Sequence, residues 1–224
     1  MRPLHSENLQ WLLLCLLTFF LFEIILKTVG SERIIENKCL EKENIMTRCC
    51  WCNLKNPKYI EYHDKEWGQP NFDDNYLFEM LILESFQAGL SWECVLNKRE
   101  DFRTAYDEFD IEKISSYDQE KIQELLANEK LIRNRLKINA AITNSRIFQK
   151  IQEEYGTFYD YLKTFTNGEI IYETGKTTNQ LSDRLSKDLK KRGMKFVGST
   201  IMYSFLQAVG MIYSHEEACF MAKK

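Results

Sequence analysis

Three prolines and nine glycines are few for a chain of 224 residues. That scarcity excludes an architecture built on frequent tight turns, as in most all-β domains, and points to consecutive helices. Positive charge is not in excess either. The formal net charge of -3 rules out a uniformly basic coat for nucleic acid, but not a local patch, which is all that phosphate contact requires. Seven cysteines, an odd number without regular spacing, do not form a disulfide framework. What is abundant is apolar: 44% of residues are hydrophobic against 28% charged. A chain of this size and composition buries a core of its own and needs no covalent staple.

The apolar residues at the N-terminus are of a different kind. Trp-Leu-Leu-Leu-Cys-Leu-Leu-Thr-Phe-Phe-Leu-Phe, residues 11–22, is an uninterrupted run of twelve, followed by Glu23 and then Ile24, Ile25 and Leu26. It is too short to span a bilayer, and a glutamate inside any longer span is costly. Three readings fit: sequence upstream of a start at Met46, a membrane tether through residues 11–26, or an export signal that lacks a small-residue cleavage site. The sequence therefore divides into an extension, 1–45, and a domain, 46–224, expected to be cytoplasmic unless the tether operates.

From Met46 onward the pattern is helical. Leu77, Met80, Leu81, Leu83 and Leu90 recur at helix spacing over 76–90, with Asp73 or Asp74 as the N-cap and Gly89 near the stop. A short helix follows Asp110. Further helices are expected over 118–128, 136–154, 158–165, 181–191 and 199–212, and 168–179 is expected to be an extended loop. The expected fold class is all-α.

Of three histidines in the chain, His63 and His215 lie in this body, both near cysteines. Ser214-His215-Glu216-Glu217-Ala218-Cys219 predicts a helix capped by Ser214 with His215 and Cys219 one turn apart, a spacing that suits two ligands of tetrahedral zinc. Cys49, Cys50 or Cys52, with His63, could complete the set; free thiols and surface histidines are the plain alternative. Arg184, Lys187, Lys190, Lys191, Arg192 and Lys195 face only Asp188 in their stretch, and they abut Gly193-Met194-Lys195-Phe196-Val197-Gly198-Ser199-Thr200. Such a two-glycine hairpin can turn backbone N–H groups and a helix N-terminus toward phosphate, or it can be an ordinary helix stop beside a solvated face. Arg133, Arg135, Lys137 and Arg146 form a second basic stretch. Finally, Tyr59, Tyr62, Trp67 and Trp92 lie close in sequence to Glu84, a carboxylate inside an apolar helix. It must find a partner or face a cavity, and aromatic faces beside a carboxylate suit a flat cation such as an alkylated base; the plain alternative is that the tryptophans are core and Glu84 is half-exposed.

Taken in order, Met46-Thr47-Arg48-Cys49-Cys50-Trp51, Tyr62-His63-Asp64-Lys65-Glu66-Trp67-Gly68, Leu77-Phe78-Glu79-Met80 through Trp92, Ile132-Arg133-Asn134-Arg135, Lys195-Phe196-Val197-Gly198-Ser199-Thr200-Ile201, and His215 with Cys219 resemble the type I DNA-3-methyladenine glycosylases. The resemblance covers nearly all of 46–220 and leaves out 1–45. It implies a helix-hairpin-helix glycosylase fold with a cleft between helical subdomains, and a structural zinc held by Cys49, His63, His215 and Cys219. Cys50 and Cys52 depart from the family pattern, and Cys52 offers an alternative thiolate. Glu84 falls on the base-recognition glutamate and is expected to be the catalytic residue. Tyr62, Trp67 and Trp92 fall on the aromatic pocket, with Tyr59 matching a further tyrosine. Lys190, Lys191, Lys195, Gly198, Ser199 and Thr200 are expected to contact DNA. The implied activity is hydrolytic removal of 3-methyladenine from alkylated double-stranded DNA, by a monomer with no obligate protein partner. The wider superfamily places a catalytic aspartate after the hairpin, whereas 199–212 contains no acid, so a monofunctional hydrolase is expected. The competing expectation is a zinc-stabilised DNA-binding module without excision activity.

Overall fold

The computed structural model describes residues 46–223; the expectations for 1–45 lie outside that range. Among the described residues there are ten α-helices, one 3-10 turn and one pair of two-residue strands. The helical fold class follows from the sequence as expected. No helix in this range is long and apolar enough to cross a membrane.

Helix α1, Pro57–Lys65, starts with proline at its first position, and the Asn56 side chain accepts from the Lys58 N–H. Helix α2, Asp74–Gln87, is capped by Asp73, whose carboxylate accepts from the N–H groups of Asn75 and Tyr76. Every residue from Leu77 to Phe86 is buried, so α2 is wrapped on all sides, as a helix without a polar face must be. It ends as the chain passes Ala88 into Gly89, whose φ of +79° is in the left-handed region. Two short helices follow, α3 (Trp92–Asn97) and α4 (Arg99–Ala105), then the 3-10 turn Asp107–Phe109. Helices α5 (Ile111–Ser116) and α6 (Gln119–Ala127) lead to α7, Arg135–Tyr155, the longest at 21 residues. Helix α8, Phe158–Thr166, packs back on α7, and Phe148 stacks on Phe158 with ring centroids 4.1 Å apart. Helices α9 (Gln180–Arg192) and α10 (Ser199–Ala208) form the expected hairpin pair. Helices α3, α7, α8 and α10 all pack against α2.

Several expectations are corrected. The last helix stops at Ala208 rather than at 212, because Gly210, at φ +77°, turns the chain. Ile212–Tyr213 then becomes β2, which pairs in parallel with β1, Ile171–Tyr172, inside the stretch expected to be only loop. Ser214 caps no helix: residues 214–220 are coil and turn, and its hydroxyl donates to the Glu173 carbonyl at 2.5 Å. The second basic stretch is partly structural. Lys137 is buried and its Nζ donates to the carbonyls of Phe86 and Ala88, each at 2.7 Å, so its charge sits at the C-terminal end of the α2 dipole. Arg146 donates to the Ser115 carbonyl at 2.7 Å.

A Cβ added to Gly210 would lie 2.4 Å from the Pro70 nitrogen and 2.5 Å from the Gln69 carbonyl carbon, both backbone atoms that cannot swing aside. Gly210→Ala therefore combines a left-handed φ with a main-chain clash and should lower stability by about 3 kcal/mol or more, read as a fall in the thermal midpoint.

Candidate active site and Cys–His cluster

A cavity of about 470 Å³ opens where α1, α2, α3 and α10 meet the chain segment at 175–177. Its aromatic wall combines Tyr59 and Tyr62 from α1, Trp67 just beyond it, and Trp92 at the start of α3. The rings of Tyr62 and Trp92 lie 5.2 Å apart. Trp51, which the sequence did not single out, completes this wall, 4.7 Å from Trp67 and 5.5 Å from Tyr59. Thus Tyr59, Tyr62, Trp67, Trp92 and Glu84 are brought to one place, as the family resemblance implied.

A network of ion pairs around the buried Arg99 and Glu79 braces this wall, and nothing in the local sequence pattern announces it. Arg99 of α4 donates to Glu79 on α2 at 2.6 Å and to Glu66 at 2.7 Å, and Arg103 adds a bond to Glu79 at 2.9 Å. Glu66 immediately precedes Trp67, so the network ties the exit of α1 to α2. Burial raises the strength of such pairs and makes removal of one partner costly.

Among the residues that line the cavity, three polar atoms are enclosed and unpartnered: Glu84 Oε2, Gln87 Oε1 and Trp92 Nε1. Glu84 is 3% exposed, and burial pushes its carboxyl up to about 8 because a charge is poorly solvated there. The same burial, with the Glu84 charge nearby, raises the Tyr62 phenol well above its ordinary value.

Behind the wall lies the cysteine and histidine cluster. Ligand atoms of Cys49, His63, His215 and Cys219, all buried, lie within 4.8 Å of one another. His215 Nδ1 is 3.5 Å from Cys49 Sγ and 3.6 Å from Cys219 Sγ, and His63 Nε2 is 3.5 Å from Cys219 Sγ. The outward nitrogens are held too: His63 Nδ1 by Asp64 at 2.8 Å and His215 Nε2 by the Trp67 carbonyl at 3.2 Å. Arg48 grips Asp64 in turn. Backbone N–H groups of Glu216 and Met221 donate to the sulfurs of Cys49 and Cys219. Cys52, the alternative thiolate, is not in the cluster; its thiol points to the Tyr59 carbonyl at 3.7 Å. Exposed Cys50 donates to Glu216.

The hairpin between α9 and α10 is rigidly seated. Gly193 has φ +104° and Phe196 φ +55°. Asn144, fully buried, accepts from the Lys195 N–H at 2.8 Å and donates to the Lys195 carbonyl at 3.0 Å, while Ser186 donates to the Val197 carbonyl. Helix α10 begins after Gly198 with no side-chain cap. The Ser199 hydroxyl is taken up by Asp183 and Ser182. Lys190, Lys191, Lys195 and Thr200 are exposed, whereas Arg192 is engaged by Asp188 and Glu154.

A helical protein with a ring-walled, carboxyl-bearing cavity beside a glycine hairpin has the parts of an enzyme that acts on an extruded nucleobase. The chain belongs to the methyladenine glycosylase family, whose model matches residues 51–222. It is 42% identical over 180 residues to DNA-3-methyladenine glycosylase 1 of Escherichia coli (strain K12), covering 78% of this chain and 96% of that protein. Against the DNA-3-methyladenine glycosylase of Haemophilus influenzae the identity is 40%, over 77% of this chain and 96% of that one. Among solved structures, 3-methyladenine DNA glycosylase I from Staphylococcus aureus superposes with a TM-score of 0.76 at 34% identity, covering 81% of this chain and 99% of its own. A 3-methyladenine DNA glycosylase I in complex with 3-methyladenine superposes equally well, with a TM-score of 0.76 at 34% identity over 80% of this chain and 99% of its own.

The elevated Glu84 carboxyl has a consequence for stability. Between its ordinary value of 4.5 and about 8, the folded chain holds a proton that the unfolded chain has released. Folding is thus favoured at low pH and weakens as pH rises, by about 1.4 kcal/mol per pH unit, levelling off above the folded value. Glu84→Gln lacks this loss. Its thermal midpoint should gain on the parent's as pH is raised from 5 to 8, and a constant difference would show that the carboxyl is not so enclosed.

Proposed function

We propose that residues 46–224 form a monofunctional glycosylase domain that removes 3-methyladenine from alkylated double-stranded DNA by hydrolysing its N-glycosidic bond. The observation that carries this is the buried, unpartnered carboxyl of Glu84 in an aromatic cavity. An enclosed acid that has no partner in the protein is suited to one that arrives with positive charge.

The target nucleotide swings out of the duplex, a step that costs a few kcal/mol and is easier at a damaged base. The base stacks against Trp92 and Tyr62, contacts worth about 1–3 kcal/mol per base. Methylation at N3 gives the attached purine a positive charge. As that cation enters, its attraction to the carboxylate outweighs the desolvation that keeps Glu84 protonated, and the proton leaves. Normal adenine is neutral and offers no such compensation, so the ion pair distinguishes damaged from intact base. The same charge makes the purine a good leaving group that needs little acid help. Water attacks the sugar carbon as an oxocarbenium-like state develops. Helix α10, Ser-Thr-Ile-Met-Tyr-Ser-Phe-Leu-Gln-Ala, carries no acid to serve as the superfamily aspartate, and the reaction proposed needs no lysine Schiff base.

The hairpin holds the duplex. Lys190, Lys191 and Lys195 are exposed and approach phosphates, and the uncapped start of α10 offers backbone N–H groups at Gly198, Ser199 and Thr200. The Ser199 side chain is committed elsewhere, so Ser199 acts through its main chain. This is the binding part of a helix-hairpin-helix arrangement, used by a monomer with no obligate protein partner.

Cys49, His63, His215 and Cys219 would hold a structural zinc. Two thiolates and two imidazoles are a closed tetrahedral set, and bond lengths near 2.3 and 2.0 Å put neighbouring sulfur and nitrogen ligands about 3.6 Å apart. The separations of 3.5, 3.5 and 3.6 Å fit that edge, and the outward nitrogens carry the acceptors that orient metal-bound histidines. When bound, the ion cross-links residues 49 and 63 to 215 and 219, an effect on the order of 10 kcal/mol for structural sites. It takes no part in the chemistry.

Excision is tested by release of free base from methylated DNA. The parent chain should release 3-methyladenine, and Glu84→Gln should reduce kcat/KM roughly hundredfold while duplex affinity stays near the parent value. Release at the parent rate would remove Glu84 from the mechanism. No release by the parent would leave a DNA-binding module. Elemental analysis should find zinc at one equivalent per chain, lost in Cys219→Ala and kept in Cys52→Ala; equal loss in both would overturn the ligand set.

A further inference from the structure

Among the described residues that line the cavity, Lys176 is the only cation. A fixed positive charge at the rim of a site for a cationic base works against that base, so its partner must be sought elsewhere. Lys176 Nζ donates to Glu173 Oε2 at 2.5 Å, and Glu173 Oε1 accepts from Asn179 Nδ2, also at 2.5 Å. Asn179 caps α9: its side chain accepts from the Ser182 N–H, and the Ser182 hydroxyl meets that of Ser199, the first residue of α10. A continuous set of hydrogen bonds therefore fixes Lys176 relative to the N-terminus of α10, the end proposed to meet phosphate. Farther along α10, Ser204 and Gln207 line the same cavity. Ser204 lies about 7.5 Å of helix rise beyond Ser199, a span that one sugar and its phosphate bridge.

We propose that Lys176 holds a phosphate flanking the extruded nucleotide, as a clamp on the cavity rim separate from the hairpin lysines; this rests on the base-excision reading above. An ammonium has three N–H donors. Glu173 takes one, and the Lys176 side chain is 54% exposed, so the ammonium is aimed by Glu173 without being used up. A nucleotide turned into the cavity brings its phosphates to the rim while its base passes inward to Glu84. The anion at the rim then meets Lys176 and offsets the repulsion between the ammonium and the cationic base. A free base brings no phosphate and gains nothing from this contact. Lys176 thus favours a nucleotide within DNA over the same base alone.

The test compares the parent with Lys176→Ala and Lys176→Arg on a duplex that carries a stable tetrahydrofuran abasic site. Loss of one phosphate contact should lower the slope of log affinity against log salt by about 0.9, and Lys176→Arg should restore it. On an undamaged duplex of the same sequence, where no nucleotide is turned out, the slope should not change. From methylated duplex, Lys176→Ala should release 3-methyladenine with kcat/KM reduced about tenfold. Free 3-methyladenine, followed by quenching of tryptophan fluorescence, should bind Lys176→Ala no more weakly than the parent. An unchanged slope on the abasic duplex overturns the proposal, as does an equal change on both duplexes, which would make Lys176 part of a general attraction to DNA. A matching loss of free-base affinity also overturns it, because the residue would then act on the shape of the cavity. A parent that releases nothing from methylated DNA, while Lys176→Ala lowers the slope on the abasic duplex alone, fails the excision reading and leaves the phosphate assignment standing.

Discussion

Glu84 is kept from water because the helix that carries it is packed on every side. Helix α2 is buried along its middle ten residues, and each end and one flank is held by a polar device: the Asp73 cap, the Lys137 ammonium on the last carbonyls, and the Arg99 pair with Glu79. Without them a side chain with its ionisation penalty would be relieved by a small rotation of the helix toward solvent. Packing on α7, α8 and α10 removes that escape. The structure thus spends rigidity to hold one acid in an unfavourable state, a common trade at sites where function requires a group that folding alone would not choose.

The cysteine and histidine cluster serves the same end from behind. Trp67 belongs to both features: its ring lines the cavity, and its carbonyl accepts from His215. Trp51, two residues beyond Cys49, packs on Trp67 and lies 5.3 Å from the His63 ring. The wall on which a base would stack is therefore seated on the four-ligand cluster, and the short β1–β2 ladder places 212–213 so that His215 reaches it.

Much of this was legible in the sequence, for identifiable reasons. Long helices declare themselves by apolar spacing and caps, so α2, α6, α7, α8 and α9 fall within a few residues of expectation. Residues with rare chemistry, such as Glu84 in an apolar run and two histidines near cysteines, marked the site. What failed was governed by tertiary contact. The fate of 209–213 depends on Gly210 meeting Pro70 and on a pairing partner forty residues upstream, neither of which periodicity reports. Ser214 looked like a cap until the Glu173 carbonyl claimed its hydroxyl. Lys137 looked like a surface cation because nothing local reveals that the carbonyls of Phe86 and Ala88, at and just past the end of α2, accept from its ammonium. The choice between Cys49 and Cys52 was likewise open, since either thiolate could serve; the fold places Cys49 in the cluster and turns the Cys52 thiol toward the Tyr59 carbonyl. Trp51 gave no signal beyond its position in a motif.

In the proposed reading two kinds of selectivity would meet in the cavity, and their physics differ. The pairing of a carboxylate with a cation is strong in a desolvated space but insensitive to where on the ring the charge resides. Hydrogen bonding is weaker per contact yet reports the identity of a single substituent. If charge alone were used, any cationic purine that fits would be accepted. If hydrogen bonds alone were used, adenine with and without its methyl group would look nearly alike, because the amine is present in both. Glu84 and Gln87 lie three residues apart on α2 and both line the cavity, so in the proposed reading charge and hydrogen-bonding contacts to one base would come from the same helix. In the proposed complex the hairpin would meet only phosphate and add affinity without sequence preference, which would leave the discrimination between bases to the cavity.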